Sequence, residues 1–441
     1  MKRVPAETAL EQLAMYSRRF KTGYFVLEGL NSFATVYYFY YFFFFMQKAF
    51  GFGNKANLAL AALNGVTYAV FAWFAGKFAQ RFGYFTALKL GFGLMLGALA
   101  VGTQLHFALG HVLVMLVTVV GMCFTWPTLE ALVSEGESPD GLQHMVGVYN
   151  VVWAATAAVA NFTGGAMLEK LGLHSLFYVP IAIQLTQLTL TFWLEFQARR
   201  GNSEIRNSKS ETTLKESNGS NGLPQLEQPE LARANTGGGA AVLEPVVVTA
   251  AVHRSPARAR SFLQMSWLAN PFAYIAINTL VAVIPGVAGR LGLSTTLAGF
   301  CCSVWCFARL GAFTGLWLWS GWHYRFRWLL LAFMALVAAF ATILLVPQLA
   351  VLVVAQIVFG AAIGLIYYSS LFYSMDSSDT KGEHGGIHEA AIGLGNFAGP
   401  AVGAVSLHFL PQYANSGALA VSLLLLCGLG GLTVIWRLGK N

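Results

Sequence analysis

The stretch WLLLAFMALVAAFATILLV, residues 328–346, decides the class of fold. It contains no charged side chain, and a helix needs about 20 mostly apolar residues to cross a bilayer. Because backbone N–H and C=O groups in lipid must bond within their own segment, the stretch predicts a membrane-spanning α-helix. It lacks the alternating pattern that is typical of a strand in a membrane β-barrel.

Apolar stretches of similar length recur along the rest of the chain. They predict an all-α membrane protein with twelve transmembrane helices in two six-helix halves. The predicted spans are 23–46, 57–77, 86–106, 110–133, 146–168, 174–196, 262–287, 295–319, 328–346, 349–374, 385–410 and 415–437.

The composition supports a lipid-facing surface. Of the 441 residues, 56% are apolar and 10% are charged, whereas a soluble domain has about 25% charged residues. The net charge of +8 does not indicate nucleic-acid binding, because the basic residues collect at the ends of apolar stretches. The cysteines lie inside those stretches, and His384 and His388 lack a suitable partner acid, so we expect neither a metal site nor a cofactor.

The distribution of basic residues predicts the orientation. With the N-terminus in the cytoplasm, 22 of the 27 Lys and Arg residues fall on the inner side, 4 fall outside and Arg309 lies within a helix. This bias favours both termini being cytoplasmic, and the expected location is the plasma membrane. An even number of spans places the two termini on one side.

A polar segment divides the chain. Residues 197–261 are rich in Ser, Asn, Gly, Glu and Arg, which predicts a flexible cytoplasmic linker that cannot bury a core. The predicted order is an N-terminal segment, a first half, the linker, a second half and a tail, at 1–22, 23–196, 197–261, 262–437 and 438–441.

The two halves repeat weakly at one offset. Asn31 and Asn270 differ by 239 positions, as do Gly76 and Gly315. Gly164 and Gly403 are separated in the same way. Matches at a constant offset indicate duplicated halves, and such parallel repeats are one known architecture of transporters.

The loop between helices 2 and 3 resembles the signature of the major facilitator superfamily. It reads GKFAQRFGYF over residues 76–85, in which Gly76, Ala79, Arg81 and Gly83 match the family pattern and Gln80 replaces its acidic residue. The resemblance implies a secondary transporter that works by alternating access and functions as a monomer. In the family the acid helps to latch the outward-facing state, so its replacement weakens the expected latch.

Helix 11 carries a second resemblance to the family. The run GNFAGPAVG, residues 395–403, is similar to the glycine-rich motif that family antiporters carry in helix 5. Here the motif is in the symmetry-related helix, so it does not identify an antiporter. Gly395, Gly399 and Gly403 allow close helix approach and Pro400 permits a kink. Gly311 and Gly315 are expected to act similarly on helix 8, either in a moving interface or in static packing.

Two polar stripes are the expected substrate site. In the resembled family, helices 1, 4, 7 and 10 line a central cavity. Helix 1 places Glu28, Asn31, Thr35 and Tyr38 at helical spacing, and helix 7 places Asn270, Tyr274 and Asn278 four residues apart. The alternative is that these side chains hold neighbouring helices together. Trp126 on helix 4 and Tyr367 on helix 10 lie at a similar depth, so we include them in the expected substrate site.

Carboxylates inside the membrane are candidates for proton coupling. Glu28, Glu130 and Glu389 lie within predicted spans, and His388 adjoins Glu389. Glu130 has an equal structural alternative, an ion pair with Arg81. Glu389 opens the predicted eleventh span, so capping the helix start is its simpler role.

Arg309 is the comparable buried base. It must find a carboxylate, a carbonyl or an anionic substrate. A structural ion pair is the first expectation and an anion-binding role is the second.

The function that these features favour is proton-coupled transport of a small organic solute. The chain has no phosphate-binding loop of the Walker type, so transport would use an ion gradient or the gradient of the solute. Two alternatives stay open: a membrane enzyme acting on a lipid-linked substrate, for which only the run from His384 to Glu389 offers chemistry, and a non-transporting sensor with a transporter fold.

Overall fold

A computed structural model describes residues 18–137, 139–219, 256–319, 321–376 and 381–439. The described residues form twelve helices, the eighth of which is in two pieces. This confirms the predicted all-α fold of twelve helices. The helices are α1 Arg18–Phe50, α2 Asn54–Phe82, α3 Tyr84–Gly102, α4 Ala108–Ser134, α5 Pro139–Lys170, α6 Ser175–Gly219, α7 Pro256–Arg290, α8a Thr295–Cys301, α8b Val304–Leu318, α9 Phe326–Leu345, α10 Leu349–Asp376, α11 Lys381–Phe409 and α12 Ser416–Leu438.

Eleven segments are long and apolar enough to cross a membrane. They correspond to every helix except α1, with α8a and α8b counted together. The composition of α1 is less apolar because Glu28, Asn31 and several tyrosines lie in its middle. These polar groups are buried among other helices rather than exposed to lipid.

Several helices extend beyond the predicted apolar spans. The helix α6 continues to Gly219 and α7 begins at Pro256, so both ends of the predicted linker at 197–261 are helical. Polar residues can prolong a helix beyond the bilayer because water forms hydrogen bonds with their side chains. Residues 220–255 lie outside the described part, and a flexible linker there stays a prediction.

The eighth helix is interrupted at Cys302 and Ser303. The hydroxyl of Tyr40 on α1 donates a hydrogen bond to the carbonyl oxygen of Cys302 at 2.9 Å, and Nε2 of Gln356 on α10 donates to that of Cys301 at 2.6 Å. Carbonyls freed at a helix end need such partners, above all inside a membrane. Side chains from both halves therefore stabilise the break.

The two halves, α1–α6 and α7–α12, meet mainly along α2 against α11 and α5 against α8. Glycines permit these approaches. A Cβ atom at Gly65 would collide with the backbone of Asn396, and one at Gly393 would collide with that of Ala69. Gly65 and Gly393 were not among the glycines singled out from the sequence.

The glycine motif of α11 contacts helices of both halves. Gly395 and Gly399 lie against the backbone of α7, in the same half, and Gly403 lies against Leu58 of α2. At Gly311 and Gly315, a Cβ atom would have no neighbour within 4 Å. Close helix approach at these two glycines was therefore a wrong expectation, whereas Gly395 and Gly399 do allow it within the second half.

We expect Gly65→Val to destabilise the contact between the halves. The added side chain meets backbone rather than a movable side chain, and overpacking of this kind costs about 1–3 kcal/mol. The measurement is the apparent Tm of the purified protein in detergent. Gly97→Ala on α3 is the matched control because its position faces open space. An equal loss of Tm in both variants would contradict the interface.

Candidate functional site

Aromatic side chains from both halves meet at Trp153 on α5. The ring centroid of Trp153 lies 6.3 Å from that of Trp126, 5.7 Å from that of Phe313 and 5.5 Å from that of Tyr367, with which it stacks at 17°. The ring of Tyr274 lies 6.4 Å from that of Tyr367. We call Trp126, Trp153, Tyr274, Phe313 and Tyr367 the central cluster.

The central cluster brings together three side chains expected from the sequence. Trp126, Tyr274 and Tyr367 come from α4, α7 and α10. Trp153 and Phe313 were not selected, although they link the cluster. The signal for Trp153 was its place three residues after Asn150, which is the partner of Glu389 at the 239-residue offset.

Arg309 on α8b borders the central cluster. Its guanidinium carbon lies 4.2 Å from the ring centroid of Trp153 and 4.9 Å from that of Trp305. The side chain is 6% exposed. Within the described part of the chain it forms no ion pair, and its Nε has no hydrogen-bond partner. The first expectation, a structural ion pair, is thus not met there.

Glu389 connects the two halves. It is 4% exposed and accepts a hydrogen bond from the hydroxyl of Tyr68 on α2. The helix α11 begins at Lys381, so Glu389 lies two turns inside it and does not cap its start. The capping role was inferred from too late a helix start. The side chain of His388 is outside the described part, and its role stays a prediction.

Glu28 is fully buried on α1. Its Oε1 accepts a hydrogen bond from the Ser32 hydroxyl at 2.7 Å, and the Tyr149 hydroxyl of α5 lies near the carboxylate. Oε2 has no hydrogen-bond partner among the described residues. Burial of a carboxylate inside a membrane protein is expensive and is a common mark of a functional group.

Glu130 completes a group of three carboxylates. Its charge lies close enough to interact with those of Glu28 and Glu389. The alternative partner, Arg81, is exposed and has its guanidinium over the ring of Phe82 at 5.3 Å. No ion pair joins Glu130 to Arg81 in the described residues. Electrostatic interaction with Glu130 thus links the other two acids that are candidates for proton coupling.

The residues of the two polar stripes differ in their contacts. Thr125 donates to the amide oxygen of Asn31 at 3.4 Å, and Thr35 donates to the backbone carbonyl of Asn31 at 2.6 Å. In contrast, Asn278 bonds to Asn396 on α11. Tyr38 packs on Phe42 and Phe177 within the first half, at centroid distances of 5.5 and 6.3 Å.

Many buried polar atoms near the centre have no partner among the described residues. Such atoms are uncommon in proteins, and each costs about 1–3 kcal/mol when it stays unpaired. The atoms belong to Glu28, Asn31, Trp126, Asn150, Asn270 and Arg309.

The loop after α2 has the compact form that its glycines require. Gly83 has a φ of +91°, which only glycine adopts without strain, and its N–H donates to the carbonyl of Ala79 at 2.9 Å. Gln80 is exposed, as is Arg81. Gly76 has no neighbour within 4 Å of its Cβ position. A role of this loop in conformational change stays a proposal.

The chain is similar to known transporters in sequence pattern and in fold. The family model described as Major Facilitator Superfamily matches residues 29–400. A crystal structure of a mutant of the nucleoside transporter NupG matches with a TM-score of 0.62 and 14% sequence identity, over 95% of this chain and 98% of that chain. No curated protein matches the sequence.

Proposed function

The chain belongs to the major facilitator superfamily, and on that premise we propose that it is a proton-coupled secondary transporter of a small organic solute. The solute is bound at the central cluster, and the two halves expose it to each side of the membrane in turn. The transporter fold argues against the alternative of an enzyme. The likeness to NupG is too distant to transfer the nucleoside as a solute.

The hydrogen bond between Tyr68 and Glu389 carries this proposal. It joins α2 to α11, hence one half to the other, inside the membrane-spanning part. A hydrogen bond to a charged group contributes about 1.5–3 kcal/mol, and one to a neutral group contributes about 0.5–1.5 kcal/mol. Protonation of Glu389 would weaken the link between the halves by about 1 kcal/mol or more, which shifts a two-state balance roughly fivefold to tenfold.

Glu28 and Glu130 are proposed to share the proton with Glu389. Their charges interact, so a proton on one carboxylate removes its repulsion with the other two. His388 is the proposed exchange group on the same helix as Glu389. The alternating exposure of this group to the two sides would couple proton movement to solute movement.

We further propose a location in the plasma membrane with both termini in the cytoplasm. The inner bias of Lys and Arg supports this orientation. A monomer is sufficient because one chain already contains both halves.

The test is a flux screen with the purified full-length chain in liposomes that enclose a pH-sensitive dye. Sugars, organic acids, nucleosides and drug-like cations are added one at a time. We expect at least one solute to change the internal pH, and empty liposomes to give no change. Solute uptake without any pH change would refute proton coupling and leave a uniporter. Binding without uptake would instead indicate a sensor.

A further inference from the structure

We propose that Arg309, Trp153 and Trp305 form a subsite for the anionic group of the solute, which therefore carries a carboxylate or a similar oxyanion next to a planar ring. This inference rests on the proposed transport function and names its substrate class. The subsite combines a buried cation, two indole rings and the aromatic walls of the central cluster.

The guanidinium of Arg309 lies within cation–π distance of two indole rings, those of Trp153 and Trp305. These contacts attract a cation but do not neutralise its charge. Nε of Arg309 is buried and unpaired among the described residues. Because a buried cation in a membrane helix normally pairs with an anion or a carbonyl, the group is suited to bind an anion from the solute.

The hydrogen-bond donors around the subsite match an oxyanion. A guanidinium presents a planar fork that binds a carboxylate or phosphate with two parallel bonds. The indole Nε1 of Trp126 is also buried without a partner in the described chain, whereas that of Trp305 lies near the hydroxyl of Tyr40. Donors without acceptors of their own favour an oxyanion over a cationic or an apolar group.

The walls around the subsite are flat and aromatic. Trp153 and Tyr367 are stacked at 17°, and Phe313 lies 5.7 Å from each of their centroids. Flat aromatic faces suit a planar ring on the solute. Trp153 belongs to the first half whereas Arg309 belongs to the second, so a bound anion would contact both.

Two tyrosines of the central cluster lie near both Arg309 and the carboxylates. The hydroxyls of Tyr274 and Tyr367 interact electrostatically with Arg309 and with both Glu130 and Glu389. In this arrangement Arg309 binds the anion and the carboxylates bind a proton. One monovalent anion that enters together with one proton leaves the net charge of the site unchanged.

The experiment measures equilibrium binding to the purified full-length protein in detergent, by calorimetry and by change in Tm. The probes are benzoate, indole-3-acetate and phenyl phosphate, each paired with its uncharged amide or alcohol analogue. We expect at least one anion to bind about 100-fold more tightly than its neutral analogue. Arg309→Gln should abolish that preference, and Arg309→Lys should reduce it about tenfold because the fork is lost.

Arg325→Gln is the control, since Arg325 is exposed at the loop before α9. Equal binding of every anion and its neutral analogue, or an anion preference that survives Arg309→Gln in folded protein, would overturn the subsite. Because binding is read without flux, its failure is separate from that of transport. Flux of only neutral or cationic solutes would overturn the subsite alone, and Arg309-dependent binding without flux would overturn transport alone.

Discussion

Glu389→Gln should abolish the accumulation of solute against its gradient while leaving exchange of solute for solute intact. Glutamine keeps the size of the side chain and can still bond to Tyr68, but it neither carries the charge nor binds the proton. A carrier that no longer needs the proton can equilibrate its solute and cannot concentrate it. The measurement is uptake into proteoliposomes under an imposed pH gradient, compared with counterflow in its absence.

Two further variants accompany this test: Tyr68→Phe, which removes the partner of Glu389, and Glu195→Gln, which is the control. Loss of the Tyr68 hydroxyl removes a hydrogen bond to Glu389 that contributes about 1.5–3 kcal/mol in the charged state, so we expect partial coupling. Glu195 pairs with Lys89 at 2.8 Å and lies outside the carboxylate group, so its neutralisation should leave coupling intact. Full accumulation by Glu389→Gln would remove Glu389 from the mechanism.

Trp153→Ala should have the largest effect on solute binding. Truncation of a buried Trp costs about 3–5 kcal/mol, and here the ring touches Trp126, Phe313, Tyr367 and Arg309. Apart from that loss of folding stability, we expect the half-saturation concentration of transport to rise by roughly 100-fold, which corresponds to about 2.8 kcal/mol of lost binding free energy. Trp153→Phe should retain most of the binding because one aromatic face remains.

Trp322→Ala separates binding from general stability. Trp322 is 1% exposed and packs on Tyr368 and Phe372, neither of which belongs to the central cluster. Both alanine variants should lower the apparent Tm by similar amounts. Only Trp153→Ala should change the half-saturation concentration. If both variants weakened binding alike, the central cluster would be a packing core rather than a solute site.

The fold was predictable because the bilayer imposes one rule on the whole chain. Each span had to be a helix with few charges, and composition alone located all twelve. The helix ends were less accurate, as at Gly219 and Lys381, because polar turns outside the bilayer have no hydropathy signal. The break at Cys302 and Ser303 contains neither Gly nor Pro, so the sequence contains no local signal for it. It is stabilised by Tyr40 and Gln356 from distant helices.

The site was predictable as a set of residue types but not as a set of contacts. Rare carboxylates in apolar spans identified Glu28, Glu130 and Glu389. Nothing local indicated that Glu389 meets Tyr68, because 321 positions separate them. Helical spacing places Trp305 one turn from Arg309, whereas Trp153 reaches Arg309 only through packing of the halves.

The most direct test of proton-coupled alternating access is whether protonation opens the helix bundle at one membrane side and closes it at the other. One spin-label pair, at Lys55 and Gln412, spans the halves at the end with the α1–α2 loop; another, at Arg81 and Arg325, spans them at the opposite end. The labels are introduced with the exposed Cys427 and partly exposed Cys301 replaced by alanine. Distances are measured in lipid at acidic and alkaline pH. We predict that protonation lengthens one distance and shortens the other, and that Glu389→Gln is fixed at the acidic pattern. Two results would contradict proton-coupled alternating access. One is that neither distance changes with pH. The other is that both distances change with pH in Glu389→Gln as they do in the unaltered protein.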